Sequence, residues 1–154
     1  MASEAQAPGR AVARWRDEGG NTLLLMPVGV LILLVLGAIA VDFAIVFTAQ
    51  RELANLTAGL ANDAAGAVDE AAFFTDGEYR IDGSRARRIV DFVVSSRPDD
   101  TLNVACPTVT LQAANEVQVA CVGTIDLIFS QALPGGVSPY TVRASSTARA
   151  DEGP

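Results

Sequence analysis

A chain of 154 residues that is half apolar, carries a net charge of −7 and contains neither His nor Lys has few chemistries open to it. The commonest general base and metal ligand is missing, and so is the amine that Schiff-base chemistry needs. The acidic balance also lacks the basic stripe that phosphate binding requires, so nucleic acid is excluded as a partner.

The first 21 residues are polar and charge-balanced, with Arg10, Arg14 and Arg16 against Glu4, Asp17 and Glu18. From Leu23 to Val41 the chain runs for nineteen residues without a charge. As a helix this spans roughly 28 Å, close to the ~30 Å hydrocarbon thickness of a bilayer, and it predicts a transmembrane helix over residues 22–42. Three Arg precede the run and the first positive charge after it is Arg51. By the positive-inside rule residues 1–21 are cytoplasmic and residues 43–154 form an extracytoplasmic domain. Ala38-Ile39-Ala40 also has the form of a signal-peptidase site, and cleavage after Ala40 would release a soluble domain starting at Val41. Against this, Phe43, Ala44, Ile45, Val46 and Phe47 continue the apolar run past Asp42.

Asp42 is the one polar residue at the end of that run. A carboxylate there either reaches the interface and marks where the hydrocarbon ends, or pairs with a positive group on a neighbouring subunit as an intersubunit contact.

Beyond Asp42, Val46, Ala49, Leu53, Leu56, Leu60, Ala64, Ala67 and Ala71 recur at steps of three and four. The spacing predicts one helix from about Thr22 to Ala72, apolar all round at first and amphipathic later. Thr75-Asp76-Gly77 ends it in a turn. A second helix is predicted from Arg85 to Ser96, capped by Ser84 and stopped at Arg97-Pro98. Its Arg85, Arg87 and Arg88 lie near Asp82 and Asp91 and read as a solvated, ion-paired face.

Residues 102–127 read as two strands around a turn at Ala113–Asn115. Setting Leu111 opposite Glu116 places Cys106 opposite Cys121, and the same register puts Leu102, Val104, Cys106, Val117, Val119, Cys121 and Ile125 on one face. Val109, Leu111 and Val122 then fall on the other face. Two cysteines with no His available make a poor metal site, so outside the cytoplasm they form a structural disulfide. After a Pro134-Gly135-Gly136 loop, Tyr140 to Arg149 alternates as a third strand, with Asp151–Pro154 frayed. The fold expected is α+β and pilin-like: a long N-terminal transmembrane-plus-amphipathic helix and a second helix packed on a small antiparallel sheet. Phe73, Phe74 and Phe92 are expected to fill the space between.

Gly20-Asn21-Thr22 before the apolar run, Val41-Asp42-Phe43 after it, Gln50-Arg51-Glu52-Leu53-Ala54-Asn55, and the Ala-rich stretch Leu60–Ala67 together resemble the N-terminal region of TadE/TadG-like proteins of the bacterial tight-adherence (Tad/Flp) pilus system. The resemblance covers about residues 19–70. It implies a minor pilin-like or assembly subunit whose partners are the membrane bilayer and other pilus or secretion-apparatus subunits. Prepilin peptidase substrates of the TadE kind carry Glu five residues after the cleaved Gly. Here Leu24 or Leu25 stands at that place, so the unprocessed, TadG-like version is the closer fit. The resemblance transfers no catalytic, cofactor-binding or metal-binding residue. The expectation is a non-enzymatic subunit with no cofactor and no small-molecule substrate, and the alternative is a secreted small binding domain released after Ala40.

Overall fold

Helix α1 runs over Gly19–Ala65, begun by residues that cannot be charged and continued by good helix formers. The structure, a computed structural model, describes residues 19–98, 102–132, 135 and 139–150. Arg10, Arg14 and Arg16, Pro134 and Gly136 of the expected loop, and Asp151–Pro154 lie outside the described residues.

The chain divides into two units, residues 1–36 and 37–154. In the first, every side chain from Leu25 to Leu36 is exposed, Met26 and Leu33 the most so at 78% and 71%.

In the second unit, α1 buries Ala49, Leu53, Thr57, Leu60, Ala61 and Ala64, a stripe at helical spacing. The small residues in it let neighbouring backbone come close. Thr57 is the one buried polar residue of the described core, and its hydroxyl donates to the Leu53 carbonyl at 2.7 Å, which satisfies it within its own helix.

The helix stops at Ala65 and not near Ala72. Gly66 weakens helix propagation, and the next residues are used differently. Val68 pairs with Ile81 in an antiparallel bridge, the Asp69 amide donates to the Arg80 carbonyl at 2.7 Å, and the Asp82 amide donates to the Ala67 carbonyl at 2.8 Å. Asp69 then caps a separate short helix, α2 (Glu70–Asp76), by accepting from the amides of Ala71 and Ala72. Gly77, at φ 71°, closes α2 in the left-handed conformation that a side chain would resist.

Helix α3 (Gly83–Ser95) is capped by Asp82, two residues before the expected Ser84. One carboxylate oxygen accepts from the Ser84 amide at 2.8 Å, the Ser84 hydroxyl at 2.7 Å and the Arg85 amide at 3.1 Å. A carboxylate is the stronger acceptor for these amides, so the hydroxyl becomes its donor. These bonds, the Ser84 hydroxyl first, hold the Asp82 carboxyl below the ordinary aspartate value of 3.8. Because the folded group keeps its charge to lower pH than the unfolded chain, the cap's contribution is complete above 3.8 and is lost as pH falls through the depressed folded value. The amide shifts of Ser84 and Arg85, followed by NMR, should titrate with a midpoint below 3.8. A midpoint at or above it contradicts the capping role.

The Arg cluster on α3 is only partly ion-paired. Arg85 lies 3.5 Å from Glu70, Arg88 donates to the Ser84 hydroxyl at 3.4 Å, and Arg87 reaches across to the Pro107 carbonyl at 3.0 Å, tying α3 to the first strand.

Strands β1 (Asn103–Ala113), β2 (Glu116–Ile125) and β3 (Tyr140–Arg149) form one antiparallel sheet in the order β1-β2-β3. From Asn103↔Thr124 to Ala105↔Val122 the β1–β2 register is the expected one, from Thr108↔Ala120 to Leu111↔Val117 it is displaced by one residue, and a second irregularity before Ala113↔Glu116 displaces it by one more. Cys106 and Pro107 together stand across from Cys121, a β-bulge. Proline has no N–H to give the ladder, so the extra residue falls where the ladder loses least. The bulge corrects two expectations. Leu111 pairs with Val117 and not with Glu116, and Val109 turns onto the core face. Leu111 comes to the same side, where its Cδ1 approaches within 3.3 Å of the place a Cβ on Gly83 would occupy.

The core joins α1 and α3 to the buried face of the sheet through Leu53, Leu60, Val90, Val117, Val119 and Cys121. The three Phe expected there are outside it: Phe74 and Phe92 are 83% and 72% exposed, and Phe73 packs at the surface against Phe74 and Tyr79. Ending α1 at Ala65 moves Phe73 and Phe74 onto α2, which buries no residue.

Gly123 marks the tightest point of the sheet. A Cβ there would meet Leu102 Cδ1 at 2.7 Å and Val142 Cγ2 at 3.0 Å. Gly123→Ala should cost about 1–2 kcal/mol of stability, because Leu102 offers the movable end of a side chain while Val142 is held in β3. A thermal melt of the variant checks this, and an unchanged midpoint refutes it.

Candidate functional site: an aspartate clamp beside an apolar recess

Of the residues singled out from sequence, Asp42 makes the most informative contacts. It lies on α1 within the second unit, half-buried. After β2 ends at Ile125 the chain turns through Leu127–Phe129 into a short 3-10 turn, Ser130–Ala132. The amides at the start of such a turn have no acceptor inside it. Asp42 supplies one: Oδ1 accepts from the Ile128 and Phe129 amides, both at 3.2 Å, and Oδ2 accepts from the Ser130 amide at 2.8 Å. Three charge-assisted bonds to successive backbone donors fix the loop to the helix. Both carboxylate oxygens are thus engaged within the chain, in a bond pattern that neither reading of Asp42 from sequence contained.

Leu127 is buried behind the clamp, while Ile128 and Phe129 remain 64% and 41% exposed. On α1, Phe43 and Phe47 are also exposed and stand one turn apart on one side of the helix. Next to the clamp lies an open recess of about 540 Å³, walled by Val41, Ala44, Ile45, Ala49, Leu102, Ile125 and Ile128. Its polar margin is Thr48, Glu52 and Asp126. The Thr48 hydroxyl donates to the Ala44 carbonyl at 2.8 Å, and Glu52 pairs with Arg97 at 2.8 Å. The recess therefore offers apolar walls and polar groups that already have partners. Among the described residues no three of His, Cys, Asp and Glu come together as metal ligands.

Cys106 and Cys121 form a disulfide on the buried face of the sheet. Each stands four residues from a wall of the recess, Leu102 just before β1 and Ile125 at the end of β2. The bridge is separate from the clamp and braces the sheet that supports it.

Sequence reasoning did not single out Ile128, Phe129 or Ser130. A signal was present: residues 127–142 are sixteen in a row without a charge, the longest such stretch after Asp42. Comparison of the chain with protein-family models, with curated proteins and with solved structures finds no match.

Proposed function

We propose that the chain is a non-enzymatic, single-pass membrane subunit of a Tad/Flp-type pilus or secretion apparatus, a minor pilin-like or assembly component. The observation that carries the reading is the helical run from Leu25 to Val41, whose large apolar side chains are exposed among the described residues. Each Leu, Ile or Val in such a run gains about 1.5–3 kcal/mol on leaving water, so the run favours lipid strongly. Arg10, Arg14 and Arg16 on one side of it and none before Arg51 on the other favour a cytoplasmic N-terminus and an extracytoplasmic domain. A disulfide in that domain suits an oxidising compartment. The pilus assignment rests on the resemblance of residues 19–70 and on the plan of a helix continuing from an apolar segment into a small sheet domain.

The test uses the full chain with a C-terminal tag. It should stay in carbonate-washed membranes at its full mass, be cut by protease added to the outside of intact cells, and co-purify from detergent with pilus-assembly subunits. A mature N-terminus at Val41 with the domain in the soluble fraction overturns the anchor and makes the chain a secreted binding domain. An anchored chain that recovers no assembly subunit overturns the pilus assignment alone.

A further inference from the structure

We propose that the loop held by Asp42 is a second membrane contact, with Ile128 and Phe129, together with Phe43 and Phe47, seated in the outer interface of the lipid bilayer. This rests on the membrane-anchor reading above and adds to it a fixed stance of the domain on the bilayer.

Position is the first argument. Asp42 directly follows Val41, the last of the nineteen uncharged residues, so on the anchor reading the hydrocarbon edge falls beside it. The amides of Ile128 and Phe129 lie 3.2 Å from its Oδ1, which sets both residues at that same depth to within a side-chain length.

Chemistry is the second. Phe43, Phe47, Ile128 and Phe129 are exposed at 74%, 69%, 64% and 41%; Phe43 is next in sequence to Asp42, Phe47 is one helical turn beyond Phe43, and Ile128 and Phe129 are hydrogen-bonded to the Asp42 carboxylate. Aromatic and aliphatic side chains at this level are what an interface accepts.

Backbone hydrogen bonding is the third. A loop entering lipid must satisfy its own peptide N–H groups, since no water replaces them there. Asp42 does this for three successive donors, at 3.2, 3.2 and 2.8 Å.

Charge is the fourth. Residues 43–154 carry fourteen acidic residues against eight Arg and would be repelled by anionic headgroups, while the sixteen residues 127–142 carry no charge. A zwitterionic lipid surface therefore fits this loop better than any other part of the domain.

The experiment places one fluorophore at a time in the full chain reconstituted in phosphatidylcholine vesicles. The native cysteines are bonded to each other, so a single introduced cysteine takes the label alone. Phe129→Cys is compared with Leu33→Cys inside the apolar run and with Phe74→Cys on α2, using a lipid-borne nitroxide and aqueous iodide as quenchers. Ile128→Cys reads the same loop if Phe129→Cys perturbs it. At 129 the nitroxide should quench strongly and iodide several-fold less than at 74, and Asp42→Asn should move both toward the values at 74. Iodide quenching at 129 equal to that at 74 overturns the proposal, and so does shielding from both quenchers, which would mean a protein surface covers the loop. Absence of nitroxide quenching at 33 overturns the anchor reading itself.

Discussion

Asp42→Ala should release the loop after β2 while leaving the sheet folded. The substitution leaves the amides of Ile128, Phe129 and Ser130 without their acceptor. A hydrogen bond to a charged group contributes roughly 1.5–3 kcal/mol, but the three share one half-exposed carboxylate and water can replace part of what is lost, so about 2 kcal/mol is expected in all. By that amount, exchange of these three amides should speed up roughly 30-fold, with exchange at Val117 and Val119 in the core of β2 unchanged. Asp42→Asn keeps one acceptor oxygen and should fall between the two. If exchange at 128–130 is as slow in the Ala variant as in the native chain, the clamp does not hold the loop.

Breaking the Cys106–Cys121 bridge should have the larger effect on the whole domain. The bond closes a loop with a sequence separation of 15, for which the chain-entropy estimate is about 3 kcal/mol. For a domain of this size that corresponds to roughly 10–15 °C in melting temperature. The position of the bond adds to the expectation. It sits at the bulge, where Pro107 gives the ladder no donor and the register slips, so the covalent link holds the two strands where hydrogen bonding is poorest. The measurement is a pair of thermal melts of the detergent-solubilised chain with and without reductant, repeated on the Cys106→Ala/Cys121→Ala double variant. Midpoints within a degree or two of each other in all cases would mean that hydrogen bonding and packing alone fix the hairpin.

Several elements were legible because their signals are local. The bounds of β3 follow from its period-two alternation, and the buried faces of β2 and β3 are those the alternation predicts. Pairing of the cysteines followed from register, and the register held over the part of the hairpin before Pro107. It failed beyond that point because a bulge depends on which ladder position tolerates a missing N–H, and periodicity alone does not reveal this. The expected extension of α1 to Ala72 failed for a similar reason. Ala67 does enter the core, as the stripe required, but from a bridge segment after the helix has ended, where Asp69 and Gly77 build a separate turn of helix. Hydrophobicity alone predicts Phe73, Phe74 and Phe92 inside, but the close, Ala-rich approach of α1 leaves the core mainly to Leu and Val.

The candidate site divides in the same way. An uncharged run long enough for a bilayer, its ending at Asp42, and a cysteine pair able to bridge are properties of order along the chain, set by composition and period. The partners of Asp42 are 86 to 88 residues away from it, and nothing in either segment names the other. That carboxylate acquired its donors only when packing of α1 against the sheet brought the exit of β2 beside the helix, where backbone amides without acceptors and a half-buried charge satisfy each other.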